Sequence, residues 1–238
     1  MKLGNLLLIA CLLQSGCDSA QNQTAVTPPP VEKKQLLKVP ILKQKVSQMG
    51  LDAEALTEMD WLVRSGFYDK TDLMRVFCEE MDAPGDLDET QVAAAIDARL
   101  AAHRAEQKNW PAVTDCDRLD QAFAGMKKRG LITLENAGNT QTDGYDIFQV
   151  YLAEHPHPET VIGYCFYHNQ DLERAVDGLP LYLAFGPVDP KDEKTKGAEI
   201  GNIIREELEQ GGLEVEWQGT FNDQLRVPGM VWQKRSLN

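Results

Sequence analysis

Apolar and polar positions follow three rhythms along this chain, and the first is nearly continuous. After Met1-Lys2, residues Leu3 to Leu13 are apolar except for Gly4 and Asn5, and the run ends at Gln14-Ser15-Gly16-Cys17. A basic start, a short apolar middle and small residues at the exit follow the order of a signal peptide. The run is too short to span a hydrocarbon core of ~30 Å as a helix. Residues 18–40 then lose apolar character and are rich in Gln, Asn, Thr and Pro, with Pro28-Pro29-Pro30 in the middle. Such a segment buries too little surface to offset chain entropy, and as a flexible tether it would reach about 25–30 Å.

The second rhythm has the period of a helix and occupies residues 41–108. Leu56, Met59, Leu62 and Val63 share one face of an amphipathic stretch that Gly66 closes. Asp69 or Thr71 can cap a second stretch, with Leu73, Val76 and Phe77 facing inward, ending near Pro84-Gly85. Asp88 and Gln91 have the spacing of a capping box ahead of Val92, Ile96, Arg99 and Leu100. A small helical subdomain is expected here.

Trp110-Pro111 interrupts that pattern, and in residues 109–238 helical and strand periods alternate. Thr114 and Asp117 form a cap for a helix carrying Leu119, Phe123 and Met126, which Gly130 ends. Leu131 to Glu135 reads as a strand, Tyr145 to Glu154 as a helix, and Val161 to Tyr167 and Leu181 to Phe185 as strands apolar on both faces, hence central. Lys196 to Gln210 reads as a helix closed by Gly211-Gly212. Leu213, Val215 and Trp217 alternate with Glu214 and Glu216 as in a strand with one wet face, and Met230 to Gln233 is a candidate last strand. The expected fold is α/β or α+β: an N-terminal helical subdomain followed by a four- to five-stranded mixed sheet with packed helices.

Charge and chemistry refine this picture. Ordinary secretory cleavage after Ala20 would put Asp18 where a small neutral residue is wanted, whereas Leu13 to Cys17 resembles a bacterial lipobox, with Gln14 in place of the usual aliphatic residue. Cys11 follows Leu8-Ile9-Ala10 but leaves too short an apolar run before it. The expectation is therefore residues 1–17 as a lipoprotein signal peptide ending at a lipidated Cys17. The exported protein would be held on a membrane by that lipid. Asp18, directly after the cysteine, would retain it on the periplasmic face of the inner membrane in a Gram-negative cell.

Removing residues 1–16 takes away Lys2 alone and leaves 23 basic against 37 acidic side chains, a net charge of −14. That balance argues against nucleic acid and anionic lipid headgroups as partners. Cys78, Cys116 and Cys165 are too few and too irregular for a disulfide framework or a zinc site, no Cys-x-x-Cys is present, and no cofactor is evident.

Five motifs occur in order: Trp110-Pro111-Ala112-Val113-Thr114-Asp115-Cys116-Asp117-Arg118-Leu119-Asp120, Thr140-Gln141-Thr142-Asp143-Gly144, Gly163-Tyr164-Cys165-Phe166-Tyr167-His168, Gln170-Asp171-Leu172-Glu173-Arg174-Ala175 and Leu213-Glu214-Val215-Glu216-Trp217. Together they resemble an uncharacterised bacterial family, a domain of unknown function, over about residues 52–235. The resemblance implies no activity, and the leader lies outside it.

Phosphate-binding Gly-rich loops, Gly-x-Ser-x-Gly and His-Glu-x-x-His are missing from the sequence. If the strands run parallel, as the intervening helices suggest, three polar segments gather at one sheet edge: residues 139–144, 168–171 and 186–189. His168 is the proton-exchanging side chain there, with Asp143 or Asp171 to orient it or to share a metal, and Gln141, Thr142 and Gln170 as candidate binding groups. The competing reading gives these residues to caps and turns. Asp115 and Asp117 are explained by helix capping, and His155-Pro156-His157-Pro158 by a loop crossing. The expected function is a membrane-tethered, non-enzymatic binding or interaction module in the cell envelope. The alternative is a small hydrolase or metal-dependent enzyme with its site around His168, Asp171 and Asp143.

Overall fold

The computed structural model describes residues 50–236. The leader with Cys17, the whole tether at 18–40 and the first residues of the expected helical subdomain, 41–49, lie outside the described residues.

Local sequence signals set the helix boundaries. The Asp52 carboxylate accepts from the Ala55 N–H to open α1 (Ala53–Ser65), and Gly66, at φ 81°, closes it in the left-handed region that glycine tolerates. Asp69 caps α2 (Lys70–Arg75), which continues into a π-helical turn at Val76–Glu80. Asp88 caps α3 (Glu89–Gln107). Gln91 bonds the Asp88 side chain rather than its backbone, so the expected box is half formed. Thr114 and Asp117 make a full capping box on α4 (Asp115–Lys128).

The sheet has strand order β1-β2-β3-β4: β1 (Leu131–Leu134), β2 (Gly163–Phe166), β3 (Leu181–Pro187) and β4 (Leu225–Val227). The two strands read as apolar on both faces are the central pair, as expected. Its directions are mixed. β1 and β2 are parallel, with Leu131 opposite Gly163, whereas β3 runs antiparallel to both β2 and β4. The parallel arrangement considered from the sequence therefore holds for one pair only. The helix between β2 and β3, α6 (Asn169–Val176), packs on α1 and β3 and does not cross the sheet back to the start of β2. The chain thus enters β3 at the edge where β2 stopped.

The two faces of the sheet are covered differently. Leu131, Cys165, Leu181, Leu183 and Phe185 point to α4 and α7 (Glu193–Gln210) and share one buried cluster with side chains of α1 to α4. Ile132, Leu134, Tyr164 and Phe166 form a second cluster beneath Phe148 of α5 (Gln141–Ala153). Alternation along β1 and β2 divides these sets, because successive side chains leave a strand on opposite faces.

Two strand expectations are corrected. Leu213 to Trp217 pairs only through a single bridge, Glu216 to Arg226, because Trp217 turns onto Phe185 and the glycine face of α7 at Gly201. Met230 to Gln233 is not a strand. It lies across α1 and α4, held by side chains. The fourth strand is Leu225–Val227, whose three residues are too short for a period to show. Among the described residues, no helix is long and apolar enough to cross a membrane.

Candidate functional site

The carboxyl ends of the parallel pair β1 and β2 bring two of the three polar segments together. The Ala137 N–H donates to the Tyr167 carbonyl at 2.9 Å, and the Asn169 N–H to the Gly138 carbonyl at 2.9 Å. The loop from β1 to α5 and the loop from β2 to α6 are thereby joined. Residues 186–189 lie at the opposite edge, since Pro187 pairs with Gly163 at the start of β2. Their expected convergence is lost because β3 runs the other way.

His168 occupies the N-cap position of α6 with extended backbone, and Asp171 is the third residue of that helix. Its Nε2 lies 3.0 Å from Asp171 Oδ2, and both side chains are nearly buried. The same carboxylate oxygen accepts from the His168 main-chain N–H at 3.4 Å. Burial pushes the Asp171 carboxyl above its ordinary 3.8, while His168 and Arg174 oppose that shift. A proton on Nε2, facing the carboxylate, leaves a lone pair on Nδ1. That atom is buried without a hydrogen-bond partner among the described residues. The pair is an oriented imidazole, as in proton-transfer sites, and also a helix cap.

Asp143 does a different job. Its carboxylate accepts from the N–H groups of Asn139 at 3.1 Å and Thr140 at 2.9 Å, while Thr140 Oγ1 accepts from the Asp143 N–H. This capping box starts α5 at Gln141, four residues before the sequence reading placed it. Gln141, Thr142 and Gln170 stand exposed in the first turns of α5 and α6. Gly144 is buried because the helix approaches β2 closely there: a Cβ would fall within 3.0 Å of three Phe166 ring atoms. Among the described residues, no three His, Cys, Asp or Glu side chains gather as a metal-holding group. Two surface clefts lie elsewhere, one of about 280 Å³ beside Trp217 and Asn222 and one of about 360 Å³ beside Arg64 and Trp232.

The first motif is engaged by the C-terminal segment. Asp115 Oδ2 accepts from the Val231 N–H at 3.0 Å, Cys116 Sγ from the Gln233 N–H at 3.3 Å, and Asp117 from Arg235 at 2.7 Å. The Thr114 N–H, then Arg235, hold the Asp117 carboxyl below its ordinary 3.8. Lys234 reaches Asp120 at 3.1 Å and Glu135 at 2.8 Å, and Glu135 also accepts from the Tyr167 hydroxyl at 3.3 Å. Burial works against the Lys234 charge, but Glu135 and Asp120 outweigh it and raise the ammonium above its usual value. Cys78, Cys116 and Cys165 are all free and buried, and burial pushes the Cys116 thiol up to about 12.

Sequence reasoning missed two features. The Lys234-Arg235 pair at the end of an acidic chain was a signal for the charged network. Asn136, at φ 47° the one positive-φ non-glycine residue described, bonds the Tyr68 hydroxyl through Nδ2 at 3.3 Å. Its place in Glu135-Asn136-Ala137-Gly138 was the available turn signal.

Neither the curated proteins nor the solved structures give a match to this chain. A family model does, over residues 50–236, which spans every helix and strand described above and all five motifs. The chain belongs to that family, Domain of unknown function (DUF6891).

Proposed function

We propose that this protein is a non-enzymatic binding or interaction module of the cell envelope, carried by its tether on a lipid at Cys17. In a Gram-negative cell the module faces the periplasm from the inner membrane. The observation that carries the choice of binding over catalysis is the internal engagement of the polar motif side chains. Thr114, Asp115, Asp117, Thr140 and Asp143 accept from backbone N–H groups, and Asp120 pairs with Lys234. Hydroxyls and carboxylates held in this way fix the geometry of the loops and of the C-terminal segment. The membrane part rests on the signal-peptide order of residues 1–17 and on Asp18.

One observation favours a second reading. The His168–Asp171 pair, 3.0 Å apart with a buried Nδ1 that has no hydrogen-bond partner among the described residues, is a carboxylate-oriented imidazole of the kind that serves as a general base, which suits a small hydrolase. The two readings separate in one experiment. Full-length protein and His168→Ala are assayed on ester, amide, phosphoester and glycoside substrates. The binding module gives rates equal to buffer for both proteins. Turnover in the wild type that disappears in His168→Ala would establish the hydrolase and overturn the binding reading. Labelling cells with a palmitate analogue tests the anchor: Cys17→Ala loses the label, and equal labelling of both proteins ends the lipoprotein reading.

A further inference from the structure

The C-terminal segment and the end of α6 face each other across an open cleft of about 360 Å³ that neither reading of the protein uses. One wall is residues 229–232, and the other is Arg64 with residues 175–178. Ala175, Val176 and Met230 line it as buried side chains, and Val231 stands 57% exposed at its mouth. Gly178, at φ 81°, and Gly229, at φ 64°, leave the main chain bare: a Cβ on either would meet nothing within 4 Å.

The segment offers a free main-chain edge to that cleft. Its side chains alternate: Met230, Trp232 and Lys234 turn inward, Trp232 to donate to the Ser65 carbonyl at 3.0 Å and Lys234 to lie over the Phe67 ring, while Val231 turns outward. In a chain extended like this, the N–H and C=O of one residue leave together and successive residues use opposite edges. The edge of Val231 and Gln233 is occupied, since their N–H groups donate to Asp115 and Cys116 on α4. The other edge faces α1 and α6, and the Lys234 carbonyl oxygen on it would lie 2.7 Å from a Cβ on Gly66. The N–H and C=O groups of Met230 and Trp232, on that same edge, bond no other residue among those described.

We propose that this edge is a docking site for an extended peptide whose residues alternate between apolar and basic. The peptide main chain pairs with Met230 and Trp232, its apolar side chains fill the cleft against Val176, and its basic ones reach Asp177. The inference rests on the reading of the protein as a binding module and gives that module its partner.

Charge selects the partner. Residues 50–238 carry 18 basic against 35 acidic side chains, a net charge of −17, so a cationic segment is drawn to this domain and an anionic one is repelled. Within the cleft, Arg64 is committed to the carbonyl end of α6, its Nη2 donating to the Val176 oxygen at 2.5 Å. The ion pair Asp177 makes is with Arg64 Nη1 at 3.6 Å, and its side chain is 58% exposed, which leaves it open to a second cation. The same net charge disfavours a second copy of this chain as the occupant. A peptide helix, about 10–12 Å across with its side chains, has its main-chain groups bonded internally and offers nothing to pair with Met230 and Trp232.

The test selects peptides on the full-length protein from a random library displayed on phage, then maps a selected synthetic peptide by NMR and hydrogen exchange. The selected sequences are expected to alternate apolar residues with Lys or Arg. The Met230 and Trp232 amides are expected to shift on binding and to gain about tenfold or more protection from exchange. Val231→Lys sets a cation at an exposed position in the mouth and should weaken binding about tenfold or more, Asp177→Asn should weaken it severalfold, and Val150→Lys on α5 should leave it unchanged. A library that yields no binder, shifts confined to another face, or equal affinity in Val231→Lys and Asp177→Asn would overturn the proposal. So would a dimer that protects the same two amides without peptide, since the edge would then belong to a second copy. Failure of the binding reading itself shows separately, as turnover in the substrate assays. A protein that neither selects peptides nor turns over substrate keeps that reading and loses this partner.

Discussion

Replacing Gly144 by alanine tests how α5 is set on the sheet. Gly144 lies in the first turns of α5, where an exposed glycine would gain about 1 kcal/mol on becoming alanine through helix propensity. It is not exposed. The new Cβ would fall within 3.0 Å of Cε2, Cζ and Cδ2 of Phe166, far inside an ordinary contact. Phe166 cannot retreat easily: it is fully buried on central strand β2 and stacks on Tyr164. Overpacking costs about 1–3 kcal/mol, and three ring contacts this short belong in the upper part of that range, about 2–3 kcal/mol, so after the propensity gain of about 1 kcal/mol the net loss should be about 1–2 kcal/mol. For a domain of this size that corresponds to a fall in Tm of about 2–8 °C. Thermal and urea unfolding of wild type, Gly144→Ala, Phe166→Leu and the double variant measure it. In the smaller Leu background the alanine should cost less, a non-additivity of at least about 0.5 kcal/mol. A neutral or stabilising Gly144→Ala, or strict additivity, would refute the close approach of α5 to β2.

Other consequences are as direct. Thr114→Ala and Thr140→Ala each remove an N-cap and should cost about 1 kcal/mol in urea unfolding, with Ser restoring most of it. Lys234→Met leaves Asp120 and Glu135 facing each other without their shared cation, and the partial exposure of Asp120 keeps the expected loss to about 2 kcal/mol. Asp117 is held below 3.8 in the folded chain, so its stabilisation is complete above that pH and fades as pH falls through the lower folded value. In acid titrations monitored by circular dichroism, Asp117→Asn should flatten that part of the stability curve.

The local signals in the sequence were reliable where one or two residues decide an element. Gly66 ends α1 by adopting a left-handed conformation, and the Thr114 and Asp117 pair starts α4, because both devices act within one turn of chain. Val161 to Tyr167 and Leu181 to Phe185 were recognisable as central strands from their two apolar faces. Longer-range features were hidden. Thr140 and Asp143 have the spacing of a capping box but precede a glycine, so Thr142-Asp143-Gly144 read as a turn, and only the packing of Gly144 on Phe166 shows why a helix passes through it. The reversal of β3 depends on where α6 docks, which no periodicity records. At the candidate site, of the two acids offered as partners for His168, Asp171 lies 3.0 Å away on the same turn, while Asp143 caps α5. The engagement of Asp115, Asp117 and Asp120 by residues 231–235 arises more than a hundred positions away, beyond any local pattern.

Native mass spectrometry of the protein extracted from its own membrane tests most directly the proposal of a lipid-tethered module that binds and does not catalyse. The expected species is a chain that begins at Cys17, carries the mass of a diacylglyceryl group and retains a non-covalent ligand or protein partner under gentle activation. An unlipidated chain cut elsewhere, or a lipidated one that is always bare, would contradict it.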